Sequence, residues 1–117
     1  MHNFRNLMVY QKGLKITRDV RTMTIDFPKK EMFSRTSQFQ RTADSIVLNI
    51  AEEAGNRSNK EFAKFLDYAI RSAHECLGYT DIALENKYIT EQQHKSLFEQ
   101  FDEMVDMLIG FQRTLLK

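Results

Sequence analysis

Three features of this sequence predict an all-α fold, an antiparallel up-down four-helix bundle. Apolar residues recur at alternating steps of three and four along four separate stretches. The chain holds only 4 Gly and 1 Pro, and its 117 residues, 42% of them hydrophobic, suffice for one core but not comfortably for two. The spacing puts one apolar stripe on each helix, and so few turn residues argue against a many-stranded sandwich or barrel. Short links between long helices make antiparallel neighbours the simplest packing. One domain over 1–117 is expected.

The first helix is predicted to begin after Asn3 or Asn6 and to run towards Phe27. Val9, Gly13, Ile16, Val20, Met23 and Phe27 form its core seam, with Tyr10 and Leu14 widening the stripe. Pro28 ends it, because proline lacks an amide donor and pushes the preceding residue out of helical geometry. Residues 29–34 read as a short connection with room for one helical turn. The second helix, from about Arg35 to Ala54, carries two non-random faces. Phe39, Ala43, Ile46, Val47, Ile50 and Ala54 form the core stripe, while Gln38, Arg41, Ser45, Asn49 and Glu52 align along a polar ridge with Leu48 beside it.

That ridge differs from an ordinary solvated face, which favours Lys and Glu over the weaker helix formers Ser and Asn. Its residues are expected to hydrogen-bond a neighbouring helix or subunit, with a ligand or catalytic role as the alternative. Gly55 is expected to close this helix in the left-handed conformation, and Ser58 with Glu61 has capping-box spacing. The third helix then runs from near Asn59 towards Asn86, its seam Phe62, Leu66, Ala69, Ala73, Cys76, Thr80 and Ala83 rich in small residues. Gly78, unfavourable in a helix interior, hints at close packing there. Thr90 with Gln93 repeats the capping-box spacing and opens the last helix, whose seam is Leu97, Phe101, Met104, Leu108, Phe111 and Leu115. Glu99, Asp102, Glu103 and Asp106 make its outer face acidic.

Cys76 is the one cysteine, so no internal disulfide forms, and its seam position reads as a small buried hydrophobe. A lone thiol among 6 Met suits a reducing interior, the N-terminus lacks a basic-then-apolar signal pattern, and no apolar run nears the ~20 residues of a membrane span. A cytoplasmic location with no membrane partner is expected. A carboxylate-bridged metal pair in a bundle needs two Glu-x-x-His elements, and only Glu91 to His94 has that spacing. The acids there equally suit the positive end of a helix dipole. His2, His74 and His94 lie in separate segments, and neither a phosphate loop nor a nucleophile motif is present. No catalytic residue, metal or cofactor is assigned, and no enzymatic activity is expected.

The net charge of +1 hides an asymmetry. Residues 1–64 hold 12 Lys and Arg against 7 Asp and Glu, and residues 65–117 hold 5 against 9. Either oppositely charged helices pack side by side, or folding and oligomerisation gather a basic face for phosphate. A chain near neutrality is not by itself the strongly basic module typical of nucleic-acid binding.

The central motif is Gln38-x-x-Arg41-x-x-x-Ser45-Ile46-x-x-Asn49-Ile50-Ala51-Glu52, followed by Gly55, Arg57-Ser58-Asn59-Lys60-Glu61-Phe62 and Phe65-Leu66. It resembles the signature of the ribosomal-protein-like four-helix bundles encoded in intervening sequences of bacterial 23S ribosomal RNA genes. The likeness extends to Phe4-Arg5-Asn6-Leu7-x-Val9-Tyr10-Gln11-Lys12, to Phe27-Pro28 and to Ala69-x-x-Ser72-x-x-Glu75, and so covers most of the chain. Glu53 departs from the pattern, which carries Gly directly after Glu52. The family is also similar to the accessory variability determinant of diversity-generating retroelements, a barrel-like assembly that contacts a reverse transcriptase and nucleic acid.

The resemblance implies a non-enzymatic homo-oligomer, a ring of five, without a cofactor. Gln38, Arg41, Ser45, Asn49, Glu52, Gly55 and Arg57 would then belong to the subunit interface. A ring would concentrate cations from several subunits, with Arg18, Arg21, Arg35, Arg41 and Arg57 as candidate contacts to RNA or a ribonucleoprotein. Arg41 and Arg57 have Glu52 and Glu53 as alternative partners. A protein-interaction scaffold with no nucleic-acid role is the competing reading.

Overall fold

The computed structural model describes residues 3–55 and 58–117. Four α-helices follow one another: α1 Met8–Thr24, α2 Ser37–Glu53, α3 Asn59–Glu85 and α4 Glu91–Leu115. They form an all-α, up-down bundle with extents of 44 × 24 × 20 Å, its long axis matching the ~40 Å of a 27-residue helix. Neighbours in the bundle follow chain order, and α4 closes back on α1.

Contacts at the two ends fix the antiparallel arrangement. Phe27, after α1, packs on Tyr88 of the α3–α4 turn with ring centroids 5.2 Å apart, and the Tyr88 hydroxyl donates to Glu31 at 3.3 Å. At the opposite end Phe62 of α3 meets Phe111 of α4 edge-on at 5.3 Å, and Gln112 Nε2 donates to the Ala63 carbonyl at 2.8 Å. Between these ends Phe39, Ile46, Ile50, Phe62, Leu66, Leu97, Phe101, Met104 and Leu108 are fully buried, as the spacing on each helix requires.

Several local expectations are corrected. Thr24, not Met23, continues the buried seam of α1, and its hydroxyl is accommodated by donating to the Val20 carbonyl at 2.8 Å and accepting from Gln40 Nε2 at 2.8 Å. Regular α1 stops at Thr24 rather than Phe27, and Leu14 is 46% exposed instead of widening the core stripe. Phe111 is only half-buried, and Val105 shares the buried face of α4.

The connection after Pro28 is helical throughout: a 3₁₀ turn at Lys29–Glu31 and a π-helical turn at Met32–Thr36 lead directly into α2. No side-chain cap opens α2, since the chain enters it already helical.

Gly55 does not adopt a positive φ. Its amide bonds to the Glu52 carbonyl at 3.2 Å, so the chain leaves α2 through a tightened last turn. The left-handed residue is Lys87, with φ 61°. Lys87 N–H donates to Leu84 and Tyr88 N–H to Ala83, the paired bonds of a Schellman motif.

Gly78 has open space where a Cβ would lie, which overturns the expectation of close packing at that point. The close approach is at Gly13, where a Cβ would meet Val47 Cγ1 at 2.5 Å. Here α1 and α2 come together. Both caps fall where the sequence puts them: Ser58 Oγ accepts from Glu61 N–H at 3.1 Å, and Thr90 with Gln93 closes a full capping box.

Candidate functional site

The polar ridge of α2 divides when the bundle forms. Ser45 and Asn49 are half-buried on the side facing α3, whereas Gln38, Arg41 and Glu52 are exposed. Ser45 Oγ donates to the Thr42 carbonyl at 2.7 Å and bonds Ser72 Oγ at 2.6 Å, joining α2 to α3. Asn49 Nδ2 donates to the Ser45 carbonyl at 2.7 Å, and Thr42 Oγ1 donates to Glu75 at 3.2 Å. Thr42, absent from the ridge as read from sequence, thus completes a polar seam with Ser72 and Glu75. Two small serines at the contact let the helices approach while satisfying each other's hydroxyls.

One turn on from Ser45 and one turn before Ser72 respectively, Leu48, 59% exposed, and Tyr68, 49% exposed, form the outer lip of this seam. Tyr68 stacks on Phe65 at 6.0 Å, with Arg71 over its ring at 5.5 Å and Lys64 over Phe65 at 5.8 Å. An aromatic pair braced by two cations therefore runs up α3 beside the exposed part of the motif.

The candidate cations have separate fates. Arg18, Arg35 and Arg41 are exposed and hold no ion pair among the described residues. Arg21 is engaged at the surface between two helices: it pairs with Asp44 at 2.5 Å and donates to Gln40 at 3.3 Å, tying α1 to α2. Arg41 does not pair with Glu52. Arg57, and with it part of the expected turn, lies outside the described residues, as does His2. Lys12 pairs with Glu103 of α4 at 3.1 Å, so some of the charge asymmetry does join oppositely charged helices.

Cys76 is buried, and burial, reinforced by the nearby Glu75 charge, raises its thiol pKa far above the ordinary range. The same two causes, with a smaller contribution from Cys76, raise the Tyr79 hydroxyl. His94 Nε2 lies 2.8 Å from Asp81 of α3, and its ring stacks on Phe98 at 5.3 Å. No group of three or more His, Cys, Asp or Glu able to hold a metal occurs among the described residues. No helix among them is long and apolar enough to cross a membrane. Among the described residues the surface presents guanidinium groups without an ion pair and exposed apolar side chains on α2 and α3.

Comparison with known proteins agrees with this geometry. A model of the family described as 23S rRNA-intervening sequence protein matches residues 5–110. The crystal structure of a protein of unknown function from the S23 ribosomal protein family of Bacteroides thetaiotaomicron has the same fold, with a TM-score of 0.78 and 26% identity over 88% of this chain and 96% of that one. No curated protein matches the sequence.

Proposed function

This chain belongs to the family of 23S rRNA-intervening sequence proteins, and from that premise we propose that it is a non-enzymatic, cytoplasmic homo-oligomer that binds RNA as a ribonucleoprotein accessory. The observation that carries the RNA part is the presence of Arg18, Arg35 and Arg41 as exposed cations without an ion pair among the described residues. A guanidinium free of internal partners presents its forked donors to phosphate. One copy brings too few for tight binding at a net charge of +1. Several copies in a ring, five on the family pattern, multiply them into one surface. The rest of the exposed motif, Gln38 and Glu52 with Leu48 beside them, serves as the contact between copies.

A protein-interaction scaffold is the second reading, favoured by the exposed Leu48 and Tyr68 on one lip. The two separate in a salt series. Nucleic-acid-free protein is titrated into a structured RNA at increasing salt, with its mass in solution recorded in each buffer. Under the RNA reading, log affinity falls linearly with log salt while the mass is constant, with a slope of about −0.9 per phosphate neutralised on duplex regions. Arg18→Glu combined with Arg35→Glu lowers that affinity at least tenfold and leaves the mass unchanged. Arg21 is unsuited to this test, because its replacement also breaks the bond to Asp44. No binding at low salt defeats the RNA reading and leaves the scaffold.

A further inference from the structure

The chain enters α2 through two irregular turns, a 3₁₀ turn at Lys29–Glu31 and a π-helical turn at Met32–Thr36. A π turn holds about one residue more than an α-helical turn, which moves each carbonyl out of line with the side chain four residues on. Isolated π turns often mark functional sites.

The buried polar side chains among the described residues are Thr24, Thr36, Thr42 and Thr80. Thr24 and Thr80 each donate to the carbonyl four residues back, at 2.8 Å to Val20 and 2.7 Å to Cys76. Thr42 donates to Glu75 at 3.2 Å. Thr36 differs, since its buried Oγ1 has no hydrogen-bond partner among the described residues. Closed off from solvent, that oxygen has lost its hydration without replacement, a cost that native folds seldom keep without a reason. The acceptor it lacks is the Met32 carbonyl, four residues back, which the π register draws away from it.

What holds the turn in this register lies on its upstream side. Glu31 accepts from Tyr88 at 3.3 Å and from Ser34 Oγ at 3.3 Å, both long bonds, and Tyr88 is fixed by packing on Phe27. Rewound as α-helix, the same residues start α2 at Met32, Thr36 Oγ1 donates to the Met32 carbonyl, and Glu31 leaves Tyr88. One hydrogen bond is exchanged for another, so the two registers lie close in free energy.

We propose that Met32–Thr36 is a two-register switch, π-helical while Glu31 holds Tyr88 and α-helical when Thr36 bonds Met32. Rewinding turns the preceding residues by about 100° and shifts them by about 1.5 Å, the step of one α-helical residue. Lys29, Lys30 and Arg35 are exposed and without an ion pair among the described residues, and the switch re-aims them relative to Arg41 on α2. The consequence for the basic surface offered to RNA rests on the RNA reading, whereas the switch itself does not.

Helix register shifts run on the microsecond to millisecond scale, where NMR relaxation dispersion of the ¹⁵N-labelled, RNA-free chain detects them. Exchange confined to residues 29–37 and to Tyr88 is expected. Tyr88→Phe keeps the packing on Phe27 and raises the minor population about fivefold, the loss of one hydrogen bond. Thr36→Val, equal in shape without the hydroxyl, lowers that population by a similar factor and does not lower the melting temperature, while Thr36→Ser keeps the exchange. Three results overturn the proposal. Flat dispersion in both the wild type and Tyr88→Phe means a single register. Exchange undiminished in Thr36→Val means that its hydroxyl does not drive the change. A lower melting temperature for Thr36→Val means that the hydroxyl is already bonded, through water. None of these readouts involves RNA, so failure of the RNA reading leaves them unchanged.

Discussion

Two glycines make opposite predictions because their surroundings differ. A Cβ on Gly13 would lie 2.5 Å from Val47 Cγ1, so Gly13→Ala forces α1 and α2 apart. The expected cost is about 1–3 kcal/mol. Gly78 lies within α3 with open space around it, and Gly78→Ala is expected to stabilise by about 1 kcal/mol. Thermal unfolding of the two variants decides, and the same sign for both would contradict the packing described. Lys87 holds φ 61° without being glycine. Lys87→Gly relieves a left-handed penalty of about 1 kcal/mol, less some unfolded-state entropy, and should raise the melting temperature.

Cys76 predicts a pH dependence. Burial first, then Glu75, holds its thiol protonated in the folded chain well beyond the ordinary value of 9.0. Below that value the folded and unfolded chains bind the same proton and nothing is lost. Above it the unfolded thiol ionises while the folded one does not, and stability falls by about 1.4 kcal/mol per pH unit from this group. Tyr79, raised for the same reasons, adds to the alkaline loss from its own ordinary value of 10.0 upward. Denaturant melts from pH 8 to 11 should show a shallower decline in Cys76→Ala. An identical slope would mean that the thiol ionises in place.

For the helices as elements, capping chemistry and apolar period were both legible. Thr90 Oγ1 accepts from Gln93 N–H at 3.1 Å while Gln93 Oε1 accepts from Thr90 N–H at 2.9 Å. Thr90→Ala removes the first of these bonds, and chemical denaturation should show a loss of about 1 kcal/mol. The stripes of α2, α3 and α4 were read from their three-and-four spacing, since burial of one face is what that spacing encodes. Thr24 escaped because a threonine joins a seam only when its hydroxyl finds partners, here Val20 and Gln40. The π-helical turn at Met32–Thr36 left no periodic signal. A five-residue change of hydrogen-bond register leaves no mark in an apolar repeat, and local propensity does not register it.

At the scale of the whole molecule, the exposed lip of α2 and α3 makes the proposed oligomer testable. Leu48 is 59% exposed, so Leu48→Asp should change the stability of the isolated bundle by less than about 0.5 kcal/mol. If that lip joins copies, the same variant lowers the mass measured by light scattering. An unchanged mass would move the subunit contact elsewhere.

The motif that carries the family resemblance lies mostly on α2 and early α3, and the sequence alone was enough to expose it, together with the four helices and their buried faces. These are local properties, written as spacing along one helix or as side chains at its ends. Which helices become neighbours, and which arginine is consumed by Asp44 and which is left free, were decided by tertiary structure. Each depends on groups distant in sequence meeting in space, as Arg21 meets Asp44 across 23 residues and Ser45 meets Ser72 across 27.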